Sequence, residues 1–162
     1  LASIAAILET AIEAGPLPVN LPTFAARWEG MASDPGFRLH LESGRTPDLG
    51  RQIMSQTFQV DGEPTVQLLL DDQDRIGPAG VFWFPEDSDL EAIRPILHLT
   101  VAATTGMPLD DAATLVDSVV PISGIPVDMD REALRDPYLV RFVVESEPFH
   151  NTRRAALVVS HA

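Results

Sequence analysis

Residues 54–84, MSQTFQVDGEPTVQLLLDDQDRIGPAGVFWF, decide the fold class. Met54, Phe58 and Val60 alternate with Ser55, Thr57 and Gln59, the period-two pattern of a half-buried strand. Asp61-Gly62 supplies hairpin chemistry, and Thr65 to Leu70 is the return strand. A second turn, around Asp71, Asp72 and Asp74, leads to Val81-Phe82-Trp83-Phe84. That run is apolar on both faces, which predicts a central or covered strand. Neither turn has room for a crossover helix, so neighbouring strands run antiparallel.

Upstream, Phe37, Leu39 and Leu41 alternate with Arg38, His40 and Glu42 and predict another strand, followed by a polar loop over 43–52. Residues 1–14, LASIAAILETAIEA, place Leu1, Ile4, Ile7, Leu8, Ala11 and Ile12 on one helical face, and Gly15-Pro16 stops that helix. The stretch PLPVNLP is an extended connector. A short helix follows it, with Thr23 as N-cap and Phe24, Trp28 and Met31 along one stripe.

Downstream, Ser88 and Glu91 fit a capping box. A proline inside a helix costs ~3 kcal/mol, so Pro95 is expected to open a new helix over about 95–105, with 88–93 a separate turn. Gly106 ends it, and Pro108-Leu109-Asp110-Asp111 opens another helix to about Val119. Residues 121–137 read as Pro-rich with one helical turn. Two strong strands, Tyr138 to Glu145 and Arg154 to Ser160, close the chain around SEPFHNT. The expected fold is α+β, an antiparallel sheet of about five to six strands with helices packed mainly on one face. Residues 1–20 form an N-terminal amphipathic helix and Pro-rich connector, and 21–162 a single α+β domain.

Composition acts by exclusion. All eleven basic residues are arginine, set against 24 acidic ones, for a formal charge of −13. That charge works against binding a phosphate backbone, so no nucleic-acid partner is expected. With no cysteine there is no disulfide framework, thiolate nucleophile or thiolate metal site. Exported and cytoplasmic locations are both compatible with that count. No stretch is long and apolar enough for a membrane span. The sequence starts at Leu1 rather than Met, from which an upstream start methionine, signal peptide, anchor or further domain is expected.

The acidic turn 71–77 fails as a calcium loop. Counted from Asp72, an EF-hand would need ligands where Ile76 and Trp83 stand. It reads as a solvated hairpin turn, and the pairs Asp87/Asp89, Asp110/Asp111 and Asp128/Asp130 as helix starts. His40 is read as solvated, His98 as a satisfied core or interface histidine, and His150 as a loop residue. No GxSxG, SxxK, HExxH or GxGxxG motif occurs, and without lysine a Walker A loop is impossible. No cofactor, metal or catalytic residue is therefore assigned.

What remains is a candidate binding surface: Trp28, Phe82, Trp83 and Phe84, the main aromatic concentration, with Arg153 and Arg154, the one adjacent basic pair. Arg153-Arg154 reads equally as charge guarding a strand edge. Phe24 and Trp28 ahead of a strand meander, then paired helices around GMPLDDA, resemble small exported bacterial domains of uncharacterised function. The acidic size class and the helix-then-strands start resemble type III secretion chaperones, which are homodimeric; the final strand and the middle helices depart from that pattern. The expected function is a non-enzymatic interaction or ligand-binding module for a protein partner or small ligand. The alternatives are a cytoplasmic homodimeric chaperone-like protein and an enzyme with a carboxylate site. A homodimer would carry −13 on each protomer, so added salt is expected to strengthen it.

Overall fold

A computed structural model describes residues 3–46, 51–122, 124–125, 128–146 and 152–162. Helices α1 (Ile4–Glu13) and α2 (Leu21–Met31) precede strands β1 (Glu42–Thr46), β2 (Arg51–Thr57), β3 (Thr65–Leu70) and β4 (Ile76–Trp83). Helices α3 (Leu90–Thr105) and α4 (Leu109–Val119) follow, then β5 (Met129–Arg135), β6 (Tyr138–Ser146) and β7 (Arg153–His161). The strands form one seven-stranded sheet in the order β1-β2-β3-β4-β7-β6-β5, and every pairing is antiparallel. The fold is α+β, and β4 occupies the middle of the sheet as its two-sided apolar pattern requires.

Alternation along each strand divides the sheet into two unlike faces. Val81, Trp83, Phe142, Val144, Leu157 and Val159 point to the inner face, where they join residues of α2, α3 and α4 in the main core. Trp28 and Phe24 of α2 are fully buried there, and the Trp28 ring stacks on Phe58 at 5.6 Å. Phe82, Val143, Ala156 and Val158 point to the outer face, where Ile4, Ile7 and Ala11 of α1 rest on them. The helices therefore divide between the faces, with α1 alone opposite α2, α3 and α4.

The connector carries the chain from one face to the other. Leu17 N–H donates to the Ile76 carbonyl at 2.7 Å, and Ile76 N–H donates to the Val19 carbonyl at 2.9 Å. Leu17 and Val19 are buried in the main core, so the alternate prolines hold an extended segment beside the first residue of β4.

Two strands lie outside the sequence expectation and bring the count to seven. All of β1 but Glu42 falls within the stretch read as a polar loop, and β5 within the one read as Pro-rich with a helical turn. Both are edge strands whose described side chains are mostly exposed, so neither carries the apolar alternation that marks a half-buried strand. Residues 37–41 keep their alternation of exposure without forming a strand. Phe37 closes a short 3-10 turn, and the Gln56 carboxamide takes the place of a strand neighbour. It accepts from His40 N–H and donates to the Arg38 carbonyl.

Helix α3 runs unbroken through Pro95. Ile93, Ile96, Leu97, Leu99 and Val101 are all buried, and their packing outweighs the missing hydrogen bond near the helix start. Its cap is Asp89, whose carboxylate accepts from Glu91 N–H, while Ser88 turns back to the Phe84 carbonyl. Asn20 rather than Thr23 caps α2. Asp130 lies in β5 and Asp128 immediately precedes that strand, so neither opens a helix. Gly106 ends α3 in the left-handed conformation (φ +79°), and the free carbonyls of Ala103 and Thr105 accept from Arg27 and the Tyr138 hydroxyl.

Candidate functional site

Helix α1 covers only part of the outer face. It lies over β4, β7 and β6, and beside it Thr57, Thr65 and Gln67 on the outer surface of β2 and β3 keep part of their surface exposed, while Leu69 further along that face is buried. Between helix and open strands runs a groove of about 470 Å³. Ile4, Ala5 and Leu8 form the helical wall, Thr65 and Gln67 the floor, and Phe82 and Phe84 the aromatic end.

Each element places its contribution by a simple local rule. Ile4, Ile7 and Ala11 follow the helical repeat and are buried against the sheet. Ala5, Leu8 and Ile12 form a second apolar stripe, rotated away from the sheet, with Ala5 exposed and the other two only partly covered. On the strands, Thr65 pairs across Phe82 and Gln67 across Gly80, so all four share the outer face. Gly80 is small because the Phe82 ring folds back over it; a Cβ there would sit 2.9 Å from that ring. Phe82 thereby becomes a wall rather than a plug.

Fixed charges hold this geometry. Ile4 N–H donates to the Glu145 carboxylate at 2.9 Å, and Ser3 Oγ accepts from Ala6 N–H at 3.1 Å. Two of the otherwise unsatisfied amides at the start of α1 are thus met, one of them by a carboxylate that also suits the helix dipole. Arg154 stands opposite Glu145 in the β6–β7 register, and both line the groove with Glu63.

The six residues singled out from sequence divide three ways. Phe82, Phe84 and Arg154 line the groove beside α1. Trp83 points inward and stacks on Phe142 at 5.9 Å, and it too is among the residues that line the groove. Arg153 also faces inward, donating to the Glu86 carboxylate and, at 2.6 Å, to the Ile125 carbonyl. These two share a second cleft of about 350 Å³ with Leu90, Ile122 and Ile125. Trp28 lines neither cleft; its indole N–H donates to the Phe37 carbonyl at 2.7 Å within the core. Arg153-Arg154 does not guard an edge, because β7 lies between β4 and β6.

Sequence reasoning missed Leu8, Gln67, Thr65 and Glu145. A signal for Leu8 existed: the apolar arc of α1 is wider than one contact with a sheet can use. Glu145 carried none, since its role depends on a helix 141 residues away.

Several titratable groups are engaged in ion pairs. The Arg153 guanidinium holds Glu86 below the ordinary carboxylate range, and Arg141 does the same to Asp130 through two bonds of 2.9 and 2.7 Å. Burial pushes Asp71 up, but backbone amides of Arg75 and Gln73 and the Arg75 guanidinium outweigh it and lower the carboxyl overall. Asp117 accepts from Arg94 at 2.7 Å and lies 3.4 Å from His98. The adjoining cleft is lined by Glu91, Pro95 and Ile122 and, among the described residues, offers no hydroxyl nucleophile. No group of three His, Asp or Glu side chains suited to a metal occurs among the described residues. Among the same residues, no helix is long and apolar enough to cross a membrane. His150, Ser123 and most of the SEPFHNT segment lie outside the described residues.

Comparison with protein-family models, curated proteins and solved structures finds no match to this chain.

Proposed function

We propose that this domain is a non-enzymatic binding module whose docking surface is the groove between α1 and the open half of the outer sheet face. One observation carries the reading: a cleft of about 470 Å³ is walled by Ala5, Leu8, Phe82 and Phe84 and floored by Thr65 and Gln67. Apolar walls around a few placed polar groups are what a small-molecule or peptide site requires. Phe84 is 43% exposed at its mouth, where the core makes no use of it. The carboxyls held low in ion pairs at Glu86 and Asp130 are suited to fixing charge. A general acid needs the opposite shift.

A fragment library titrated against ¹⁵N-labelled protein tests the assignment. Amide shifts are expected to concentrate at Leu8, Gln67, Phe82 and Phe84. Phe84→Ala is expected to weaken the best fragment about tenfold while leaving stability within ~0.5 kcal/mol, as for other exposed positions. Shifts confined to the Leu90–Ile122 cleft would refute the reading.

A further inference from the structure

We infer that the occupant of this groove is a basic amphipathic helix of a partner protein, lying alongside α1. The inference rests on the docking role proposed above and adds the chemistry of the partner. Its first support is the stripe Ala5, Leu8 and Ile12, none of which is buried. Spacings of three and four residues form the seam by which one helix packs on another. The sheet uses a different set of α1 residues, Ile4, Ile7 and Ala11. Of the second stripe, Ala5 and Leu8 line the groove, Leu8 also packs against the edge of that outer-face cluster, and Ile12 stays half-buried beyond the groove's lining.

The second support is the open floor. Thr65 and Gln67 are half-buried, and the Thr57 and Thr65 hydroxyls bond each other at 2.8 Å across β2 and β3. A helix seated there would set its apolar face on Leu8 and Phe82 and its flank on hydroxyl and amide groups. The outer face already holds one helix in this manner, α1 itself.

Charge selects the partner. Glu9 and Glu13 stand exposed on α1, one and two turns beyond Ala5, and Glu63 lines the groove. The charges of Arg154 and Glu145 offset each other across β6 and β7, which leaves Glu63 as the excess charge of the lining. Lysine or arginine on the polar face of an incoming helix would meet these carboxylates. A second copy of this chain would bring Glu9, Glu13 and Glu63 against their like, on a protomer of formal charge −13. Mutual repulsion of that kind disfavours self-association.

The experiment uses two synthetic helical peptides with the same Leu/Ala apolar stripe, one carrying lysines on its polar face and the other glutamates. Each is titrated against the ¹⁵N-labelled chain, with light scattering in parallel. The lysine peptide is expected to shift the amides of Leu8, Gln67 and Phe82 and to lose affinity about tenfold on raising salt from low to several hundred millimolar. Glu9→Arg is expected to weaken it about fivefold or more. Asp72→Arg makes the same charge change on the exposed β3–β4 turn and is expected to cost less than about twofold. Equal losses for the two variants, or shifts scattered away from the groove, would overturn the inference. A glutamate peptide that binds the groove as tightly as the lysine one would overturn the charge selection while the docking role stands. A doubled mass with the same amides perturbed would make the occupant a second copy. Fragments that bind the groove when neither peptide does would end the helix inference and leave the docking role intact.

Discussion

The two faces of the sheet are built to different standards. On the inner face Phe24, Trp28, Phe58, Trp83 and Phe142 interlock beneath three helices, with ring centroids 5.6 to 5.9 Å apart. On the outer face a single ten-residue helix rests three side chains on Val143, Ala156 and Val158. Apolar area sets the stabilisation, so the inner face supplies most of the fold and the outer helix only a small part. Regions with few buried contacts open locally at low cost. The inner face is closed by packing, whereas on the outer face Ala5 stays exposed and Leu8 only half-buried.

The comparison is tested hardest at Trp28. Trp28→Ala removes a fully buried ring and strands the Phe37 carbonyl, and is expected to cost about 3–5 kcal/mol in denaturant unfolding. That approaches the whole stability of many domains. A loss below about 1 kcal/mol would show that the inner face is not the main store of stability. Ile7→Ala addresses the other side. It is expected to cost about 2 kcal/mol, expressed as opening of α1 rather than of the sheet. Hydrogen exchange should then quicken about thirtyfold at α1 amides and stay unchanged in β4 and β7. Equal acceleration in both would mean that α1 and the sheet unfold as one unit.

How much of this was legible beforehand follows from which residues report burial. The meander over 54–84 announced itself because Phe58 and Val66 are buried between more exposed neighbours, while β4 is buried along most of its length. β1 and β5 were illegible because edge strands are held by backbone pairing, which side-chain pattern does not encode. Pro95 misled for a related reason: a local penalty of ~3 kcal/mol is overridden by tertiary burial of Ile96, Leu97 and Val101. At the candidate site, Phe82, Phe84 and Arg154 were reachable from sequence because aromatic and basic residues are conspicuous. Trp28, Trp83 and Arg153 were grouped with them only because composition cannot tell which face of an element a side chain takes. Glu145 at the start of α1 and Gln56 bridging Arg38 and His40 are long-range roles that residue type alone does not disclose.

The smallest effect is expected where the outer face passes beyond α1 towards β5. Asp130 lies next to Val143 in the β5–β6 register, and its carboxylate accepts both arms of Arg141, with about a fifth of each side chain exposed. A forked pair so placed is worth about 1 kcal/mol, more than a fully exposed pair and far less than the ring at Trp28. Because Arg141 lowers the folded carboxyl below its ordinary value, the pair's contribution is fully present above the unfolded value and is lost as pH falls through the folded one. Asp130→Asn should therefore cost a constant ~1 kcal/mol above about pH 5, with the gap to the parent closing below about pH 4. Urea unfolding of both chains across that range measures it. A gap that stayed constant into acid would mean that the amide loses packing rather than charge, and the outer face would then be less polar in its energetics than its composition suggests.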